Sequence, residues 1–350
     1  MKQDETKIML SEAAAGEAQK AHSAAVGEFL DPEKRGASNV VGMGVGVKWK
    51  KGQPTGEPAL VVLVSQKLDK DQVSKADLIP SKLAEMQTDV LAIGYPFAGG
   101  NHPLEAGIQT LTKRIRPAQG GYSVGHIAIT AGTIATCVYD ILPGGGVSPP
   151  VHGTGIPPKY YILSNNHVLA NSNAAALGDP ILQPGPFDGG VFPADRIASL
   201  SRFIPITFAP AVPLVLHNNR VDAAVAEGQF HDLDREIYWT GHVRGWRKKA
   251  NVIVGTIVQK TGRTTNYTTG RITAINATID VNYGGGNVAR FKDQIVTTNM
   301  SAGGDSGSLV TTPDDVAVGL LFAGSVSAMI ANQIENVRAL LKVEVAEQIL

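Results

Sequence analysis

The sequence predicts a mainly β protein: two small antiparallel barrels closed by a C-terminal helix, with a small α/β module ahead of them. Three observations carry this expectation. Short β-branched runs separated by turn residues recur through the last two thirds of the chain. The 350 residues include 39 glycines and 20 prolines, which punctuate strands far more readily than helices. Hydrophobic residues make up 43% and charged residues only 18%, enough apolar material for a substantial core.

Charge and cysteine content narrow the function classes. Lys+Arg and Asp+Glu are both 31, so no global field favours nucleic acid or an anionic membrane. The one cysteine, Cys137, cannot form an intrachain disulfide. The first residues, Met1 to Lys7, lead into no apolar run of signal-peptide length, and no segment approaches the roughly 18 apolar residues of a membrane span. These features predict a cytoplasmic protein.

Residues 4–30 are rich in Ala, Glu, Gln and Lys and read as a weakly amphipathic helix stopping before Asp31-Pro32. Residues 39–49 alternate glycine with apolar residues up to Trp49. No glycine-rich turn there leads into a helix, so the pattern predicts a hairpin with the strand at 59–65 rather than a nucleotide site. Residues 67–83 read as a helix-containing connection and 88–94 as another strand. Three parts follow: a helix at 1–35, a small α/β accessory domain and linker at 36–107, and a two-barrel domain at 108–350. Packing, homo-oligomerisation and substrate presentation are the roles open to the accessory part. Pro143–Lys159 and Gly178–Gly190 read as loops, and Asn332–Leu350 as a helix with Ile334, Val337, Leu340 and Leu341 at helical spacing.

The chemistry concentrates in Gly303-Gly304-Asp305-Ser306-Gly307-Ser308-Leu309-Val310. A serine needs a base to take its proton and backbone N–H groups aimed at the developing oxyanion, and flanking glycines let substrate approach. The run Tyr160–Leu169 delivers His167 at the end of an apolar strand. Asp222 heads the apolar run Ala223–Ala226, where an unpaired carboxylate would be costly. Of the eight histidines, His126, His152, His217, His231 and His242 compete with His167. Asp179, Asp188 and Asp195 compete with Asp222, but they sit in loops where aspartate shapes turns.

The order His167, Asp222, Ser306 and the Gly-Asp-Ser-Gly run resemble the trypsin/chymotrypsin-like serine peptidases, and more narrowly the intracellular bacterial and plant branch related to NARROW LEAF 1. The block Lys260-Thr261-Gly262-Arg263-Thr264-Thr265-Asn266-Tyr267-Thr268-Thr269-Gly270-Arg271-Ile272 resembles a strand of the bacterial members, with Asn266 where a glycine is usual. The resemblance implies a chymotrypsin-like double barrel and a serine endopeptidase acting through an acyl-enzyme, with no metal or cofactor and a protein or peptide substrate. It implies an oxyanion hole from the N–H groups of Gly304 and Ser306, and a specificity pocket from Met300, Phe322, Ala323 and Gly324. No acidic residue falls at the pocket base and Leu321 is not a histidine, so the expected preference is for an apolar or small P1 residue, not Lys or Arg. Asp305 matches a carboxylate that pairs with a freed N-terminus in zymogen-activated relatives. Here it needs another partner, and a site folded without a trigger is expected. Two other readings remain open: a weak or inactive protease-fold protein serving as a binding or scaffold module, and a serine esterase, which the missing Gly-x-Ser-x-Gly elbow disfavours.

Overall fold

The computed structural model describes residues 5–31, 39–74, 78–99, 109–129, 131–141 and 159–345. Pro32, the linker residues 100–103, His152, nearly all of the Pro143–Lys159 loop and the last five residues of the expected terminal helix lie outside them.

Strands dominate, in two large sheets. In the C-terminal sheet, six strands close a ring: Ile257–Gly262, Leu309–Thr311, Val316–Gly324, Ala328–Gln333, Val288–Thr298 and Asn266–Asn282, the last pairing back onto the first. Val258, Ile272, Ile295, Val310, Val318 and Met329 fill its interior. The other large sheet runs, in order, through Val343–Glu344, Cys137–Asp140, Tyr160–Ser164, Ala224–Gly228, Arg196–Phe203, Pro180–Leu182, Ser123–His126 and Gly132–Thr133. A third, three-stranded sheet lies beside it.

The stretch expected as an accessory domain is hydrogen-bonded into the C-terminal sheet. Asn266–Asn282 is long enough to carry two neighbours on one edge: its first half pairs with Ile257–Gly262, its second with Val40–Lys50. Gln53–Val64, Met86–Ala92 and Lys82–Leu83 then extend the sheet outward. The glycine alternation of 39–49 has its explanation here. A Cβ at Gly42 would meet the Thr278 carbonyl at 2.5 Å, and one at Gly46 the Val61 side chain at 2.7 Å. Only glycine allows so close an approach of neighbouring chains.

Three short elements differ from expectation. Among its described residues, the connection at 67–83 contains the single turn Lys70–Gln72 and a two-residue strand, because its charged run offers no apolar face to bury. The N-terminal helix spans Glu12–Phe29, capped by Ser11, whose hydroxyl accepts from the Ala14 N–H. It buries Ala18 and Ala25 against the added strands. The terminal helix is Ile334–Leu341, and its Ile334, Val337 and Leu341 reach a core shared by both large sheets. Among the described residues no helix is long and apolar enough to cross a membrane.

Candidate active site

Strand register brings the first two site residues together. Ala224 pairs with Ser164 and Val225 with Leu163, so continuing the antiparallel ladder sets Asp222 beside the turn that follows Ser164. That turn is the four-residue helix Asn166–Leu169, which presents His167. The His167 Nδ1 lies 2.6 Å from Asp222 Oδ2, and the His167 N–H donates to Oδ1 at 3.1 Å. Asp222 is fully buried, and every donor around it is supplied by the fold. Tyr283 Oη donates to Oδ2 at 2.7 Å. The Asp222 N–H donates to Asn332 Oδ1 at 3.0 Å, and Asn165 Nδ2 donates to the Asp222 carbonyl at 2.8 Å. Burial first, then the Asp222 charge and its hydrogen bond, push the Tyr283 hydroxyl well above its usual pKa, so it stays a donor.

Ser306 comes from the other side, on the turn before Leu309–Thr311. Gly304 and Gly307 have φ of +93° and +98°. A Cβ at Gly307 would stand 2.1 Å from Ser164 Oγ, so the glycine after the serine is sterically required. Thr133 ties this turn to the first sheet: its N–H donates to the Ser306 carbonyl at 2.8 Å and its hydroxyl to the Gly304 carbonyl at 2.9 Å. Among the described residues, the N–H groups of Gly304 and Ser306 donate to no protein acceptor. They remain available to an oxyanion. Ser306 Oγ lies 3.5 Å from the Phe322 carbonyl, while His167 Nε2 is buried without a partner. The serine–imidazole bond is therefore not made in this state.

Asp305 has its partner in the resembling block. Lys260 Nζ stands 3.2 Å from Asp305 Oδ2, and both side chains are fully buried. The Thr264 and Thr265 N–H groups donate to Oδ1 at 2.9 and 3.1 Å, and Thr265 Oγ1 and the Ala302 N–H donate to Oδ2 at 2.6 and 3.0 Å. Burial pulls the Lys260 ammonium below its usual pKa, and Asp305 opposes that pull. The turn is thus held by partners within the chain.

The competing residues have other employment. His126 Nε2 meets Asp179 at 3.0 Å while its Nδ1 accepts from the Ala128 N–H. His217 is consumed by the Val212 carbonyl and the Arg290 N–H. Asp188 holds Arg263, and Asp195 holds Arg114 at 3.1 Å.

The pocket expectation needs correction at two positions. The small cavity beside Ser306 is lined by Ser301, Ala302, Gly303, Leu321, Ala323 and Gly324, with Phe97 and Gly99 across it. Ala323 and Gly324 both line this cavity. Met300 instead points into the barrel core, packed over Gly270, and Ser301 takes its place at the pocket. Phe322 does not line the cavity: it is buried against Phe291, in the core it shares with Ala323, and a β-bulge between Leu321 and Ala323 breaks the alternation of side chains there. The sequence reading missed Tyr283, Asn332 and the role of Lys260. A tyrosine at the end of a long polar strand carries no motif that ties it to a distant acid.

Several known proteins are similar to this chain. Over 89 residues it is 40% identical to glutamyl endopeptidase 2 of Streptomyces griseus, a stretch making up 25% of this chain and 39% of that protein. Over 113 residues it is 36% identical to serine protease 2 of Streptomyces fradiae, 32% of this chain and 51% of that one. The chain thus spans about half the length, or less, of these curated relatives. Among solved structures, Thermobifida fusca protease A superimposes with a TM-score of 0.43 at 14% identity, over 66% of this chain and 98% of that one. No family model matches the chain.

Proposed function

We propose that this protein is a serine endopeptidase of the chymotrypsin-like kind, acting on protein or peptide substrates. The observation that carries the reading is the His167–Asp222 contact of 2.6 Å, together with a serine on a glycine-flanked turn whose cavity is also lined by Gly99, close to the His167 ring. In this reading Ser306 Oγ attacks the scissile carbonyl as its proton passes to His167 Nε2. The carbonyl oxygen becomes an oxyanion received by the Gly304 and Ser306 N–H groups. His167 then gives the proton to the leaving amine, and water repeats the sequence to release the acyl group. Asp222 fixes Nδ1–H as the donor, so that Nε2 is the basic nitrogen. Each oxyanion donor contributes about 3–4 kcal/mol to such a transition state.

The small, uncharged lining of the cavity supports a small or apolar P1 residue. A cytoplasmic location remains part of the proposal, since a chain with one cysteine has no intrachain disulfide to lose in a reducing compartment.

A fluorophosphonate probe tests the reading. Wild type should be labelled and Ser306→Ala should not, with peptide cleavage falling on the order of a millionfold as in comparable triads. A folded protein that resists labelling even after its cleft is opened, by the substitution described next, would overturn it. Across peptides varied at P1, cleavage should be best after Ala, Val or Leu, and best cleavage after Lys or Arg would refute the pocket assignment.

A further inference from the structure

The cleft beside Ser306 already holds a strand of this chain. Residues 96–98 run between the ends of two barrel strands and are bonded on both sides. On one side Phe97 and Gly324 exchange both backbone bonds, N–H to carbonyl at 3.0 and 3.2 Å, in antiparallel register. On the other, the Asn282 N–H donates to the Pro96 carbonyl and the Ala98 N–H to the Asn282 carbonyl, each at 3.0 Å. Upstream, the Ser325 hydroxyl donates to the Ile93 carbonyl. Downstream, Gly99 arrives at the reacting groups: it lines the same cavity as Ser306, and a Cβ placed on it would lie 3.9 Å from His167 Cδ2. The space left there is about 20 Å³, room for roughly one water molecule.

These bonds have the form a peptide ligand would use. Gly324 lies at the open end of its strand, and an extended chain adding to a strand end gains affinity from paired backbone bonds. The strap enters antiparallel and reaches the serine two residues beyond the paired one. Gly99 brings no side chain to fill the cavity.

We infer that residues 96–99 form an internal competitive strap, anchored upstream by the buried Ile93 and seated where an extended peptide substrate binds, with Gly324 on one side and Asn282 on the other, so that the strap must lift before substrate enters. The inference rests on the endopeptidase reading for the identity of the displaced ligand, and on the backbone geometry alone for the strap. It explains why His167 Nε2 is buried without a partner: the strap closes over the imidazole while the Ser306 hydroxyl faces the Phe322 carbonyl. The strap weakens apparent affinity by the inverse of the fraction of molecules in which it is lifted.

Phe97→Pro tests this in the full chain. The ring removes the N–H that donates to Gly324. Phe97→Gly keeps that N–H but discards the side chain and loosens the backbone, which guards against a proline that merely disrupts folding. Both variants should label with fluorophosphonate faster than wild type, Phe97→Pro by roughly three- to tenfold for its one lost bond of ordinary net strength. In wild type, the amide hydrogens of Phe97, Ala98, Asn282 and Gly324 should exchange slowly, and in the variants faster. Folded variants that label no faster than a labelled wild type would overturn the strap, and so would exchange at Phe97 and Ala98 as fast as in an unstructured peptide. If neither wild type nor variants are labelled while those amides are protected, the strap stands and the endopeptidase reading fails.

Discussion

At the scale of single residues, one oxygen concentrates the chemistry. Asp222 Oδ2 takes both the His167 imidazole, at 2.6 Å, and the Tyr283 hydroxyl, at 2.7 Å. Tyr283→Phe keeps the packing against Phe208 and Phe291 but removes one donor to a buried charge. We expect kcat/KM to fall by roughly tenfold, the rate equivalent of about 1.5 kcal/mol for a bond to a charged group. The same variant has a signature in stability. Folded Tyr283 holds its proton far above the ordinary value of 10.0, whereas the unfolded side chain ionises near it. Its stabilising share is therefore complete below about pH 10 and is lost at about 1.4 kcal/mol per pH unit above it. Alkaline denaturation of Tyr283→Phe should accordingly be shallower than that of wild type, and an identical alkaline limb would contradict the assignment. Ser306 and His167 were legible because each sits in a local pattern, a glycine-flanked turn or a strand end. Tyr283 was not, because its role depends on the fold bringing the far end of a long strand to Asp222.

At the scale of the element, the block Lys260–Asn266 does for the Ser306 turn what strand pairing does for Asp222. The sequence offered the block as a resemblance and left the partner of Asp305 unnamed. The structure shows why: the pair joins a residue of the strand Ile257–Gly262 to one in the turn before Leu309–Thr311, and no periodicity reports such contacts. Lys260→Met would leave the Asp305 carboxylate buried without its cation, a cost of about 3–5 kcal/mol. Thermal or denaturant unfolding should record that loss. Adding Asp305→Leu should restore only part of the stability: it removes the unpaired buried charge but leaves the N–H groups of Thr264, Thr265 and Ala302 without an acceptor. Activity should stay lost in the double variant, because Asp305 also gathers the Thr264, Thr265 and Ala302 N–H groups that shape the turn. Recovery of cleavage together with stability would show that the turn forms without them. Gly307→Ala attacks the same element from within. With φ of +98° and no room for a Cβ, it should destabilise by at least about 2 kcal/mol and abolish labelling at Ser306.

At the scale of the whole molecule, the decisive departure from the sequence reading is the place of the N-terminal third. The expectation of a separate part at 36–107 followed from a hairpin pattern with no catalytic residues. What the pattern could not convey is that Asn266–Asn282 runs on past its barrel partner and offers an edge, which Val40–Lys50 takes. The consequence is a shared core: Leu10, Ala18, Val45 and Val47 pack with Val258, Ile272, Met300, Val310 and Leu321. Val41, Val61, Leu63 and Ile93 likewise pack with Ile279, Phe291 and Phe322. A chain starting at 108 would uncover those barrel residues and leave the second half of Asn266–Asn282 paired only with Val288–Thr298, its other edge exposed in the way that drives aggregation. Such a truncation should lack the sharp unfolding transition of the full chain and should bind a dye for exposed apolar surface. Co-expressing residues 1–99 as a separate piece should restore a folded complex, because the lost contacts are hydrogen-bonded pairs and apolar packing rather than chain connectivity. A truncated chain that folds cooperatively and remains monomeric without that piece would show that the barrel does not depend on the added strands.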